Sequence, residues 1–108
     1  MKFKIKINED TSFSDIRLEL ENLRAAPVTE IPLNHLRKII EFLGASEVPA
    51  SGSSVRFRHH ILDDHPYYHG YFQIHKIHKG GDKDQIKKND YSRILHPTLI
   101  TIIELLEK

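Results

Sequence analysis

The sequence predicts an α+β domain, an antiparallel sheet with helices packed on one of its faces, and three observations carry that reading. Leu33, Leu36, Ile39, Ile40 and Leu43 recur at helical spacing, and so do Leu99, Ile102, Ile103 and Leu106. Between these stripes, residues 55–59 and 71–79 alternate apolar and polar side chains with period two, the signature of half-buried strands. A stretch rich in Asp, Pro and Gly joins the two, so they read as a hairpin with an enlarged loop. At 108 residues, 39% apolar and 29% charged, the chain is expected to form one domain, 1–108, around one core.

Each element follows from local signals. Residues 2–8 alternate lysine with Phe3, Ile5 and Ile7 and predict an N-terminal strand. Its free edge suggests pairing with a partner or a second copy, although Lys2, Lys4 and Lys6 are also the kind of residue that guards an edge against pairing. Thr11 or Ser12 caps the next element: Asp15 stands three residues past Ser12, and Ile16, Leu20 and Leu23 predict a helix to about Arg24. Residues 25–31, with Pro27, read as a connector. Pro32 opens the second helix and Gly44 ends it. After the small-residue turn 49–53, Val55, Phe57 and His59 face inward, while Ser54, Arg56, Arg58 and His60 face outward. Phe72 and Ile74 are the inward residues of the returning strand. Residues 80–90 are polar, with a short edge strand at Gln85-Ile86-Lys87, and His96 with Pro97 opens the last helix.

Composition narrows the chemistry. The formal charge is only +1, but residues 1–51 carry seven Lys/Arg against eight Asp/Glu, whereas 52–108 carry nine against seven and hold seven of the eight histidines. There is no cysteine, which excludes disulfides, thiolate nucleophiles and cysteine-based zinc sites. No apolar run is long enough for a membrane helix and the first residues do not resemble a signal peptide, so a cytoplasmic protein without a membrane partner is expected.

Histidines 59, 60, 65, 69, 75 and 78, with Asp63 and Asp64, supply enough ligand types for a zinc or nickel site, but their spacing matches no metal motif and no metal is assigned. A solvated or structural role is the commoner fate of any single imidazole. Arg56 and Arg58 share one strand face and suit phosphate, with Lys76 and Lys79 extending a basic path that Asp82, Asp84 and Asp90 interrupt. Tyr67, Tyr68 and Tyr71 are candidates for stacking on bases, or for packing a loop.

Element order and local motif over residues 33–106 resemble the HicA family of toxins from bacterial toxin–antitoxin systems. The resemblance rests on the Gly44 helix stop, on Gly52-Ser53-Ser54-Val55-Arg56-Phe57-Arg58-His59, and on Ile74-His75 followed by Gly80. It implies a fold similar to double-stranded RNA-binding domains, a metal-independent endoribonuclease acting on messenger RNA without a cofactor, and neutralisation by a HicB-like antitoxin. The family motif reads Gly-Ser-His. Gly52 and Ser53 match it, and Ser54 stands where the family has its catalytic histidine. Residues 1–32 are an N-terminal strand and helix outside the resemblance.

RNA is cut by its own 2′-hydroxyl once a base takes that proton, and a group titrating near neutrality suits the task. A serine at position 54 does not, so the sequence offers His75 and His60 beside Ser54 as catalytic candidates, with Gly52, Ser53, Arg56, Arg58, Lys76 and Lys79 as RNA-binding ones. His60 shares the outward face with Ser54 but lies about 20 Å along an extended strand, whereas the reach of His75 depends on hairpin register. A noncatalytic RNA- or protein-binding module is the alternative, and a histidine-rich metal-dependent hydrolase the third.

Overall fold

The computed structural model describes residues 7–108. The strand expected over 2–8 therefore falls largely outside the described residues, and Ile7 and Asn8 at its end are irregular. Helix α1 (Phe13–Ala25) begins in a reciprocal capping box: the Ser12 hydroxyl accepts from the Asp15 N–H at 3.1 Å, and the Asp15 carboxylate accepts from the Ser12 N–H at 2.9 Å. Ile16, Leu20 and Leu23 lie on its buried face, as their spacing predicts.

The segment read as a connector contains a short strand, β1 (Glu30–Pro32), leading directly into α2 (Leu33–Phe42). Helix α2 stops where Gly44 adopts φ of +97°, and a Cβ there would come within 3.1 Å of His59 Nε2. Glycine thus turns the chain and makes room for a buried ring.

Strands β2 (Ser46–Val48), β3 (Ser54–Arg58) and β4 (Tyr71–His75) form a three-stranded antiparallel meander in that order. Val55 pairs with Ile74 and Phe57 with Phe72, and these four join α1, α2 and the last helix in one apolar cluster. The other face of the sheet carries the polar positions. Gln85-Ile86-Lys87 is a strand, β5 (Gln85–Lys87), but it pairs with β1 in a separate two-stranded sheet. The third strand of the main sheet is Ser46–Val48, whose side chains are exposed or half-buried on both faces and so leave no period-two pattern to read.

The last helix begins earlier than Pro97 suggests. A helical turn α3 (Lys88–Asp90) continues through a π-helical turn, Tyr91–Leu95, into α4 (His96–Leu106). The His96 N–H bonds to the Tyr91 carbonyl five residues back, the widened spacing of a π turn. Proline lacks the N–H that a regular turn needs, and the distortion next to it allows the helix to run past. Leu99, Ile102 and Ile103 are buried, and Leu106 is half-buried at the margin.

Tyr91 lies wholly within the core and its hydroxyl donates to the Leu20 carbonyl at 2.6 Å, while burial pushes the phenol pKa well up. His35 with Glu19 at 2.7 Å and His96 with Glu21 at 2.8 Å add ties from α1 to α2 and to α4. Helix α1 is therefore built into the same core as the rest. Among the described residues no helix is long and apolar enough to cross a membrane.

Candidate functional site

The register of the β3–β4 hairpin decides which outward side chains meet. Ser54 pairs with His75, Arg56 with Gln73 and Arg58 with Tyr71. Because side chains alternate, all six stand on the face turned away from the core. Ser54 Oγ lies 3.4 Å from His75 Nδ1 and 3.4 Å from Gln73 Nε2, both at the long end for hydrogen bonds. The Arg56 guanidinium stacks over the Tyr71 ring at 4.2 Å, leaving its N–H groups free to bind an anion.

Arg58 is committed elsewhere. Its Nη2 donates to Asp63 Oδ1 at 2.8 Å, and that hydrogen bond and charge raise its pKa further. The lysines are committed as well. Lys76 Nζ lies 3.1 Å from Asp84 Oδ2, and Lys79 Nζ donates to Glu30 Oε1 at 2.6 Å. The basic path expected through Arg58, Lys76 and Lys79 is thus largely neutralised, and among the described residues Arg56 forms no ion pair with a carboxylate. Gly52 and Ser53 are exposed in the turn before β3, where the Ser53 carbonyl accepts from the Lys76 N–H at 2.8 Å.

The histidines separate into roles. His59 is 2% exposed: its Nε2–H donates to the Leu43 carbonyl at 2.7 Å and its Nδ1 accepts from the Ile61 N–H at 3.1 Å, so both nitrogens serve the fold. His60 opens a 3₁₀ turn at the far end of β3 from Ser54, with its ring 4.9 Å from that of His59. It does not join the Ser54 site. His75 does, on the strand beside it. Among the described residues no group of three or more His, Asp and Glu side chains gathers in an arrangement able to hold a metal ion.

Sequence reasoning missed three contributors. Gln73 shares the alternation that exposes Tyr71 and His75, and was legible from it. Arg93 borders the aromatic end of the face from the π turn at Tyr91–Leu95, a stretch to which the sequence reading assigned no element. Asp84, read as an interruption of the lysines, is 4% exposed and organises them. It accepts from the Lys79 and Gly80 N–H groups at 2.9 and 3.1 Å and also faces Lys76 and, at 3.3 Å, His78 Nδ1.

The Lys79 backbone hydrogen bond foremost, with the Lys76 ammonium and the Gly80 N–H, lowers the Asp84 pKa from 3.8 to about 2. The folded state binds this proton less readily than the unfolded chain, so the stabilisation is complete above about pH 4 and is lost as pH falls through about 2. Asp84→Asn is expected to lower the melting temperature at pH 7, with the gap from wild type closing toward pH 2. A gap independent of pH in thermal melts would show that the carboxylate charge is not what holds the 76–84 segment.

Comparison with protein-family models, with curated proteins and with solved structures gave no match.

Proposed function

We propose that the chain is a HicA-like RNA-binding toxin with a metal-independent endoribonuclease site in which the catalytic histidine is His75 rather than a residue at position 54. The observation that carries the proposal is the cross-strand pair of Ser54 and His75 beside Arg56 on the open sheet face. The helix–strand–strand–strand–helix order of α2, β2, β3, β4 and α4, with the strands in a meander, supports a double-stranded-RNA-binding-domain-like layout. A HicB-like antitoxin is the protein partner that the same resemblance implies.

In this mechanism Arg56 holds the scissile phosphate. His75 takes the proton from the neighbouring 2′-hydroxyl, the 2′-oxygen attacks phosphorus, and the bond to the 5′-oxygen breaks. The products are a 2′,3′-cyclic phosphate and a 5′-hydroxyl, the leaving oxygen taking its proton from solvent on this open face. Ser54 orients the imidazole through Nδ1. The 3.4 Å separation suits a contact that tightens when substrate binds, as catalytic hydrogen bonds are often long in the free enzyme. The charge developing on the phosphate oxygens is met by the guanidinium of Arg56.

RNA binding is testable apart from cleavage. Affinity for a single-stranded oligoribonucleotide should fall with added salt, and Arg56→Ala should reduce the logarithmic salt slope by about 0.7, the value for one phosphate contact. Arg58→Ala should change it less, because Asp63 already occupies that guanidinium. Equal slopes for wild type and for the Arg56→Ala/Arg58→Ala double variant, or no binding at low salt, would remove RNA as the ligand of this face and favour a protein-binding module.

A further inference from the structure

Two clefts meet on the open face. One, of about 500 Å³, is bordered by Ser51, Ser54, Arg56 and Gln73; the other, of about 680 Å³, lies between the free edge of β4 and the start of α4 and is bordered by Arg56, Gln73, Tyr67, Tyr71, Arg93 and Ile94. Arg56 and Gln73 belong to both, and neither cleft has a carboxylate in its wall. The larger one combines two guanidinium groups with exposed aromatic rings, which is the chemistry of a nucleotide site: a π-face for the base, cations for the phosphate, and amide and hydroxyl groups for the base edge.

The aromatic wall is held in place before any ligand arrives. Tyr67 is 79% exposed, yet its ring packs edge-on against Tyr68 at 4.9 Å, and the Tyr68 and Thr98 hydroxyls are 3.0 Å apart. The Tyr67 N–H donates to His65 Nδ1 at 3.1 Å, and the Gly70 N–H donates to the Leu62 carbonyl at 2.8 Å, with Leu62 wholly buried. Gly70 has φ of +91°, and a Cβ there would lie 2.6 Å from Asp63 Oδ1, so the loop closes only around glycine. An exposed ring on a tied loop loses little conformational freedom on binding, which is what a stacking platform requires.

The geometry points to this larger cleft as a base-binding subsite that takes one unpaired nucleotide of a single-stranded RNA, its base stacked on Tyr67 and Tyr71 and its phosphate shared between Arg56 and Arg93. The assignment rests on the RNA reading of the Ser54–His75–Arg56 face. It adds that the substrate is single-stranded next to the cut, since a base held in a Watson–Crick pair cannot enter a side cleft without being flipped out. The separation fits: Ser54 and Arg56 are two residues apart, roughly 7 Å along the strand, so a phosphate at the dyad has its neighbouring nucleotide over the cleft.

The test is an NMR titration of the full chain with 5′-AMP, 5′-UMP and inorganic phosphate, alongside binding of a single-stranded and a duplex oligoribonucleotide. The nucleotides should give saturable shifts at the Tyr67 and Tyr71 rings and contacts from base protons to those rings, while phosphate alone shifts only the arginines. Tyr67→Ala, at a surface position where folding is not at stake, should weaken the single strand about tenfold and leave the duplex unchanged, and Tyr67→Phe should restore binding. Identical shifts for phosphate and nucleotide, equal loss for single strand and duplex, or a Tyr67→Ala variant that binds 5′-AMP as wild type does would each overturn the subsite. Cleavage that depends on His75 but not on Tyr67, with no base contacts, rejects the cleft and spares the catalytic reading. Base contacts in a protein that never cuts RNA do the reverse.

Discussion

Replacing Phe57 with alanine is expected to destabilise the protein by about 3 to 5 kcal/mol, the usual cost of removing a fully buried aromatic ring and leaving a cavity. Phe57 is 1% exposed, stacks on Phe72 with centroids 5.3 Å apart and planes inclined by 22°, and sits on the middle strand of the meander. It therefore touches the core from the element that both neighbouring strands depend on. Such a loss is a large part of the 5 to 15 kcal/mol that keeps a domain folded, so the measurement is a denaturant melt at low temperature with wild type and Phe57→Leu beside it. Leucine should recover much of the loss by refilling the volume. A loss below about 1 kcal/mol would take Phe57 out of the core, and with it the strand register that brings Ser54 to His75.

Much of this was legible from periodicity, and the reasons for the rest are physical. Strand β3 was readable because one face is buried: Val55, Phe57 and His59 inside against Arg56 and Arg58 outside is a pattern only a half-buried strand needs. Strands β1 and β2 are three residues each, too short to establish a period, and Ser46-Glu47-Val48 has no buried face at all. The start of the last helix was hidden because Pro97 imitates a first-turn proline, while Lys88, Asn89 and Asp90 leave the turn before it without an apolar stripe.

The candidate site divides the same way. Alternation alone put Ser54, Arg56 and Arg58 on one face, but whether His75 belonged with them depended on hairpin register, which the twelve-residue connection between Arg58 and Tyr71 does not reveal in sequence. The Lys79 ion pair was invisible for another reason. Its partner Glu30 lies 49 residues away, so that neutralisation is a property of the fold, whereas Asp63 and Asp84 lie close in sequence to Arg58 and Lys76.

The second large effect concerns the dyad. His75→Ala removes the only imidazole facing Ser54 in the described hairpin register, and loss of a general base typically lowers a rate by about 10² to 10⁴. His75 is exposed at the end of β4, so the substitution should leave the melting temperature near that of wild type and separate chemistry from folding. Ser54→His tests the same geometry from the other strand. It places an imidazole two residues along β3 from Arg56, roughly 7 Å at about 3.3 Å per residue, and should restore cutting to a protein that also carries His75→Ala. His60→Ala should change nothing, because that ring lies at the opposite end of the strand.

The most direct measurement is cleavage of a single-stranded RNA with chelator present, comparing wild type with His75→Ala at matched folded concentration. The predicted result is wild-type cleavage that survives the chelator, leaves 2′,3′-cyclic phosphate ends, and falls by about 10² or more in His75→Ala. Equal cleavage by the two proteins, cleavage that chelator abolishes, or no cleavage by wild type would contradict a catalytic role for His75.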